Sequence, residues 1–379
     1  MGMSAEKLKL GFIGWRGMVG SVLLDRMREE HDLEHFDTVF FSTSQHGDKA
    51  PEGSSEGELW DAFDCDALKK MDIILTCQGG DYTSRMHGEL RKASWRGIWV
   101  DAASTLRMKE DACLVLDPLN KGLIKEEIHK GTLDFVGANC TVSLMLLALA
   151  GPLKAGMVDW ISTHTYQAAS GAGAQNMKEL LKQMGHLYNH EAKLIEDPKS
   201  NILELDKLIS AELQGSGNYP KELFGAPLAG SLIPWIDSPM ENGQTREEWK
   251  AMVEGNKILG LTGNQKIAVD GTCVRIGAMR SHSQAITLKC KSDVDLSEFT
   301  ELIAKAHDWV DLVPNTKEAT LERLSPAHYS GSLNIGVGRV RPMNLGKEFV
   351  NIFTVGDQLL WGAAEPLRRF LRLYLEVTA

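Results

Sequence analysis

The stretch Leu8-Lys9-Leu10-Gly11-Phe12-Ile13-Gly14-Trp15-Arg16-Gly17-Met18-Val19-Gly20 decides the fold. Leu8 to Ile13 reads as a short buried strand. Gly14, Gly17 and Gly20 follow, and the apolar residues Met18, Val19, Val22, Leu23 and Met27 then fall at helical spacing. In a strand, glycine turn and helix, backbone N–H groups can approach a pyrophosphate resting on the helix N-terminus. The spacing is GxxGxxG rather than GxGxxG, so the context carries the reading more than the pattern does. A tight turn without a ligand is the plain alternative.

The next strand, Thr38 to Phe41, ends in Ser42-Thr43-Ser44-Gln45. An acidic residue at this place would hold a ribose 2′-OH and repel a 2′-phosphate. Hydroxyls stand here instead, with Arg16 as a nearby cation, so NADP is favoured over NAD. Further strands are expected at Ile73 to Cys77, Ile98 to Val100 and near Cys113 to Leu116. Their alternation with helices or loops implies a parallel sheet. Gln78-Gly79-Gly80 and Asp101-Ala102-Ala103-Ser104 fall at strand ends, where ligands lie in such sheets. Arg107, taken alone, reads as a surface ion-pair partner.

Gly137-Ala138-Asn139-Cys140-Thr141-Val142-Ser143-Leu144 reads as a strand end, a polar turn and an apolar helix. Cys140 sits where the helix begins, and free N–H groups there favour a thiolate. A buried, inert cysteine is the competing reading.

Beyond it, Trp160 to Gln167 alternates like a strand and ends in the small-residue turn Ala168 to Ala174. A helix is expected from Asn176 to Tyr188 and long loops from 189 to 245. A helix over 246–259 puts Glu247 and Lys250 on one face, where a solvated ion pair is the simplest reading. Strands are expected at Lys266 to Ile276, Ala285 to Lys289, Leu333 to Val340 and Phe349 to Thr354, with a helix at Leu296 to His307. They imply a mostly antiparallel second sheet with a face free for a partner. Asp357 to Val377 reads as a helix that Pro366 kinks or breaks.

The 379 residues allow two domains, and 43% hydrophobic and 24% charged residues are those of a soluble globular protein. A net charge of −10 argues against a general nucleic-acid binder. Cys65, Cys77, Cys113, Cys140, Cys273 and Cys290 form no CxxC pair and no zinc spacing. No metal and no disulfide framework is expected, and the protein reads as reduced and cytoplasmic. No signal peptide and no membrane span is expected.

Taken together, GFIGWRGMVGSVL, FFSTSQ, DAASTLRMKEDACLVLDPLN, GANCTVSLMLLALAGPL, THTYQAASGAGA, REEWK, CVRIGAMRSHSQA and DQLLWGAAEPLRR closely resemble the aspartate-β-semialdehyde dehydrogenases, nearest the form of Gram-negative bacteria. The likeness runs in order from about residue 8 to the C-terminus. It implies an α/β fold: a Rossmann-type NADP-binding domain over 1–138, joined by the C-terminal helix 357–379, and an α+β catalytic and dimerisation domain over 139–356. It implies reversible, NADPH-dependent conversion of L-4-aspartyl phosphate to L-aspartate 4-semialdehyde and phosphate through a cysteine thioester. A homodimer is expected, with lysine, methionine, threonine and diaminopimelate synthesis as the destination.

The resemblance makes Cys140 the nucleophile and His282 the base. It gives the substrate carboxylate to Arg275, its amino group to Glu247 and its orientation to Gln167. Phosphate falls to Arg107, Asn139 and Lys250, so Glu247 and Lys250 become two ligand contacts rather than a surface pair. The cofactor positions are Arg16, Gly17, Met18, Val19, Thr43, Ser44, Gln78, Ser170, Gly171, Pro198 and Gln358. Ala172 departs from the family's three glycines and is expected to crowd the cofactor or restrict the backbone. Competing readings are an N-acetylglutamyl phosphate reductase, an NADP-binding protein without catalysis, and a cysteine hydrolase.

Overall fold

In a computed structural model that describes residues 7–215 and 217–378, the glycine turn opens the first of two seven-stranded sheets. That sheet contains β1 (Leu8–Ile13), β2 (Phe36–Ser42), β3 (Trp60–Asp61), β4 (Ile73–Thr76), β5 (Ile98–Asp101), β6 (Ala112–Val115) and β7 (Asp134–Gly137). Every pairing is parallel, in the order β3-β2-β1-β4-β5-β7-β6. Helices cover both faces, so the strands read as near-continuous apolar runs such as IILT in β4. The order reverses direction between β1 and β4, and the glycine turn stands at that switch point. Gly14 adopts φ +77°, and a Cβ on Gly20 would lie 2.1 Å from the Gly14 carbonyl oxygen. Glycine at position 20 is therefore what lets the helix Met18–Glu29 close onto the turn.

The second sheet contains β8 (Val158–Gln167), β9 (Leu232–Ile233), β10 (Ala268–Ile276), β11 (His282–Cys290), β12 (Val310–Leu312), β13 (Ile335–Met343) and β14 (Gly346–Gly356). Its order is β12-β13-β14-β11-β8-β10-β9. Four pairings are antiparallel, while β8–β10 and β12–β13 are parallel, so the sheet is mixed with an antiparallel majority. One face is buried on the helix Cys140–Ala148, of which residues 141–148 are all buried.

The C-terminal helix Glu365–Thr378 packs on the first sheet. Phe370 is fully buried and stacks on Phe135 of β7 with ring centroids 4.2 Å apart. Pro366 does not break it. It is the second helical residue, where a missing N–H costs nothing, and the irregularity is a wide turn just before, over Leu360–Ala364.

Residues 189–245 are less irregular than expected. One helix runs Ala174–Glu196 and a second runs Ile202–Gln214, capped by the Asn201 side chain on the Leu203 N–H at 2.9 Å. The second helix buries none of its residues fully, and Leu205, Ile209 and Leu213, four apart, form its half-buried face. No helix among the described residues is long and apolar enough to cross a membrane.

Candidate active site

Cys140 is the first residue of its helix because Asn139 caps it. The Asn139 Oδ1 accepts the N–H groups of Thr141 at 2.9 Å and Val142 at 3.3 Å, satisfying two otherwise orphaned donors. The thiol faces a cavity of about 520 Å³ between the two sheets. Gln167, Arg275, Glu247, Lys250, Arg107 and Asn139 line the same cavity. The substrate and phosphate residues expected from sequence therefore converge on one space.

Three elements deliver them. Gln167 and Arg275 are register partners at the ends of the parallel strands β8 and β10. Glu247 and Lys250 come from the helix Arg246–Ile258, whose start is fixed by a reciprocal cap between Thr245 and Glu248. They are not a solvated pair. Both are buried, with Lys250 Nζ 2.9 Å from Glu247 Oε2, and Asp237 takes the same ammonium at 2.8 Å. Glu247 Oε1 also accepts the amide N–H groups of Asn139 at 3.0 Å and Gln167 at 3.3 Å. Burial opposes the charge on Glu247, but Lys250 and these amides outweigh it and lower its pKa.

Glu254 was not found by sequence reasoning, although positions 247, 250 and 254 share one helix face. Its carboxylate is buried, accepting the Asn139 backbone N–H at 2.6 Å and an Arg107 N–H at 3.3 Å. Arg107 also donates to the carbonyls of Gly137 at 2.8 Å and Ala102 at 3.3 Å. It is a fixed guanidinium rather than a surface residue. Arg280, near the histidine in sequence, is instead spent on the buried Asp357 at 2.7 Å.

The Ala168 peptide serves two site residues. Its carbonyl accepts from Arg275 at 2.8 Å, and its N–H donates to His282 Nδ1 at 3.1 Å. Because Nδ1 is an acceptor, the neutral ring carries its hydrogen on Nε2. Nε2 is buried without a partner beside Gly171. Burial and the neighbouring Arg275 push the His282 pKa down to about 3. Burial, then Glu247, push the Cys140 thiol up to about 12 against Arg107, Arg275 and Lys250. Thiol and imidazole are thus both neutral near pH 7. In this arrangement the ring is a donor at Nε2, and a proton on Nδ1 would be set against the Ala168 N–H.

The cofactor positions divide. Met18, Val19, Ser170, Gly171 and Gln358 line the cavity. Gly17 is the N-cap of the helix Met18–Glu29, whose first N–H groups have no helical partner and suit a pyrophosphate. Arg16 reaches β2, donating to Ser42 Oγ at 3.0 Å, beside Thr43 and Ser44. A cation and hydroxyls without a carboxylate fit a 2′-phosphate. Gln78 is exposed at the end of β4, across the switch point. Pro198 is exposed on the turn between the helices Ala174–Glu196 and Ile202–Gln214 and does not line the cavity. Gln358 is committed internally: its Oε1 accepts the Ser281 N–H at 2.8 Å and its Nε2 donates to Ser170 Oγ. Ala172 lines the same cavity as Cys140, next to Gly171. Ala172 is exposed, whereas a Cβ on Gly171 would lie 2.7 Å from an Arg275 nitrogen and 3.1 Å from the His282 ring.

The chain is similar to known proteins over both sheets. The model for the NAD binding domain of semialdehyde dehydrogenases matches residues 9–127, and that for their dimerisation domain matches residues 149–361. The solved aspartate semialdehyde dehydrogenase of Francisella tularensis is 48% identical, with 97% of this chain and 99% of that one covered at a TM-score of 0.92. The aspartate semialdehyde dehydrogenase II of Vibrio cholerae is 22% identical, with 98% and 99% covered at a TM-score of 0.79, and shares the fold. So does the Candida albicans enzyme solved with NADP, at 15% identity, the same coverage and a TM-score of 0.64. The chain belongs to the semialdehyde dehydrogenase family.

Proposed function

We propose that the protein is an aspartate-semialdehyde dehydrogenase, reducing L-4-aspartyl phosphate to L-aspartate 4-semialdehyde and phosphate with NADPH, and reversibly so. One observation carries the reading. A thiol at a helix N-terminus shares a cavity with a buried carboxylate, three cations and the first turn of the dinucleotide fold. Glu247 offers a counter-charge for a free amino group, which disfavours a reductase of N-acylated substrates.

In this reading Cys140 Sγ attacks the acyl carbon, the C–O bond to phosphate breaks, and a thioester remains. Arg107, Asn139 and Lys250 receive the phosphate, whose leaving oxygen takes the thiol proton. Arg275 holds the substrate carboxylate and Gln167 orients the acyl group. Arg16, Gly17, Met18, Val19, Thr43, Ser44, Gln78, Ser170 and Gly171 hold NADPH, which supplies the hydride for the thioester. The buried Nε2–H of His282 meets the oxygen that becomes negative. The C–S bond then breaks, the aldehyde leaves, and the sulfur takes up one proton from solvent.

Residues 1–138 with the C-terminal helix form the cofactor domain, and residues 139–356 form the catalytic and dimerisation domain. The open face of the second sheet makes a homodimer, and the enzyme works in the cytoplasm for lysine, methionine, threonine and diaminopimelate synthesis. The test is an initial-rate assay with semialdehyde and phosphate, NADP+ against NAD+, on the wild type and Cys140→Ala. Cys140→Ala is expected to bind NADPH without turnover. Substantial turnover by that variant, or preference for an N-acylated semialdehyde, would overturn the reading.

A further inference from the structure

Lys250 is shared by two carboxylates of different standing. Glu247 Oε2 takes the ammonium at 2.9 Å from within the same helix. Asp237 Oδ2 takes it at 2.8 Å from the connection between β9 and that helix. Glu247 is buried, whereas the Asp237 side chain is 32% exposed. Asp237 also holds a left-handed backbone, φ +73°, which aspartate tolerates better than most residues, and its other oxygen accepts the Ser238 N–H at 2.7 Å.

The charges around the cavity balance without a ligand. Arg107, Lys250 and Arg275 are three cations, and Glu247, Glu254 and Asp237 are three carboxylates. A phosphate dianion adds two negative charges at Lys250, where two of three N–H donors are already taken. A carboxylate that gives way frees a second donor and offsets part of the added charge. Glu247 and Glu254 cannot withdraw without leaving buried charges unpaired. Asp237, the one of the three carboxylates that reaches water, can turn outward at the smaller cost of a half-buried ion pair.

We infer that Asp237 is the resting counter-ion of Lys250, occupying the phosphate's seat and displaced when phosphate arrives. The inference rests on the reading of Lys250 as a phosphate ligand. Asp237 is a positioning residue that sets phosphate affinity through Lys250.

The test is steady-state kinetics of Asp237→Asn in the phosphate-dependent direction, since asparagine keeps the left-handed backbone and removes the charge. The KM for phosphate is expected to fall about two- to fivefold, with the KM values for semialdehyde and NADP+ unchanged. The difference is expected to shrink in about 0.5 M KCl, because a half-buried pair open to water on the Asp237 side is partly screened. A phosphate KM that stays or rises would mean that Asp237 merely orients Lys250 and would overturn the inference. Lys250→Met separates the two levels. An unchanged phosphate KM in that variant removes the reading of Lys250 and this inference with it. A raised phosphate KM there, without a fall in Asp237→Asn, removes only the inference.

Discussion

Glu254 accepts the backbone N–H of Asn139, 115 positions away, at 2.6 Å through one carboxylate oxygen, while its other oxygen takes Arg107 at 3.3 Å. One buried carboxylate thereby ties the turn that presents Cys140 to the guanidinium expected to meet phosphate. Glu254→Gln keeps the shape but turns an N–H toward one of these two donors. We expect a loss of about 1–3 kcal/mol in stability, as for an unsatisfied buried group. Phosphate KM should rise and kcat fall about tenfold or more, from displacement of Arg107 and the Cys140 turn. Denaturant titration and kinetics check the two parts, and unchanged phosphate kinetics in a folded variant would refute the linkage.

Glu247 raises the pKa of the Cys140 thiol and also engages Lys250, one of the cations that lower it. Removing its charge acts in one direction through both routes. Glu247→Gln should therefore be alkylated by iodoacetamide faster than the wild type near pH 8 in the absence of ligands, while its KM for semialdehyde rises. Slower alkylation in the variant would contradict this electrostatic account.

The parts of this site legible in the sequence are those built locally. The glycine turn, the hydroxyl end of β2 and the Asn139 cap each lie within a few residues of what they serve. The two-sided burial of the first sheet is legible for the same reason, since it writes continuous apolar runs. What stayed hidden depends on distant pairing. Glu247 and Lys250 look like a surface pair until β8 and the Cys140 turn are folded onto them. Asp237 gains meaning only from Lys250, and the tautomer of His282 only from the Ala168 N–H, 114 positions earlier. The helix Ile202–Gln214 was legible in the four-residue spacing of Leu205, Ile209 and Leu213, but the Gly- and Pro-rich stretch after it masked that signal.

The His282 pKa lies far below its ordinary value, at about 3 against 6.5, because the ring is buried and faces Arg275. Between these values the unfolded chain binds a proton that the folded protein does not. Stability contributed by the neutral ring is therefore present above pH 6.5 and lost as the pH falls toward 3. Each pH unit of the window is worth about 1.4 kcal/mol at most. His282→Gln should lose less stability than the wild type between pH 7 and pH 5, measured by urea titration at each pH. Parallel pH profiles for the two proteins would show that the ring does not titrate as stated.

Gly171 and Ala172 are adjacent and should respond in opposite ways to a single methyl group. At position 171 a Cβ would stand 2.7 Å from an Arg275 nitrogen and 3.1 Å from His282 Nε2, so the substrate-facing guanidinium must shift. The Arg275 end can move, and for that reason the fold should survive. Gly171→Ala is expected to keep its Tm within a few degrees, with a semialdehyde KM raised and kcat lowered about tenfold or more, because a small misplacement of a positioning group is costly. Ala172 is exposed on the cavity wall, and Ala172→Gly removes a methyl and nothing else from it. Its kinetics should match the wild type within about twofold, at a few tenths of a kcal/mol in stability from the added chain entropy. Measuring KM for semialdehyde in both variants decides the matter. If Gly171→Ala were silent and Ala172→Gly altered the KM for semialdehyde or NADP+, the crowded position would be 172 after all, and the packing of Gly171 against Arg275 and His282 would carry no functional weight.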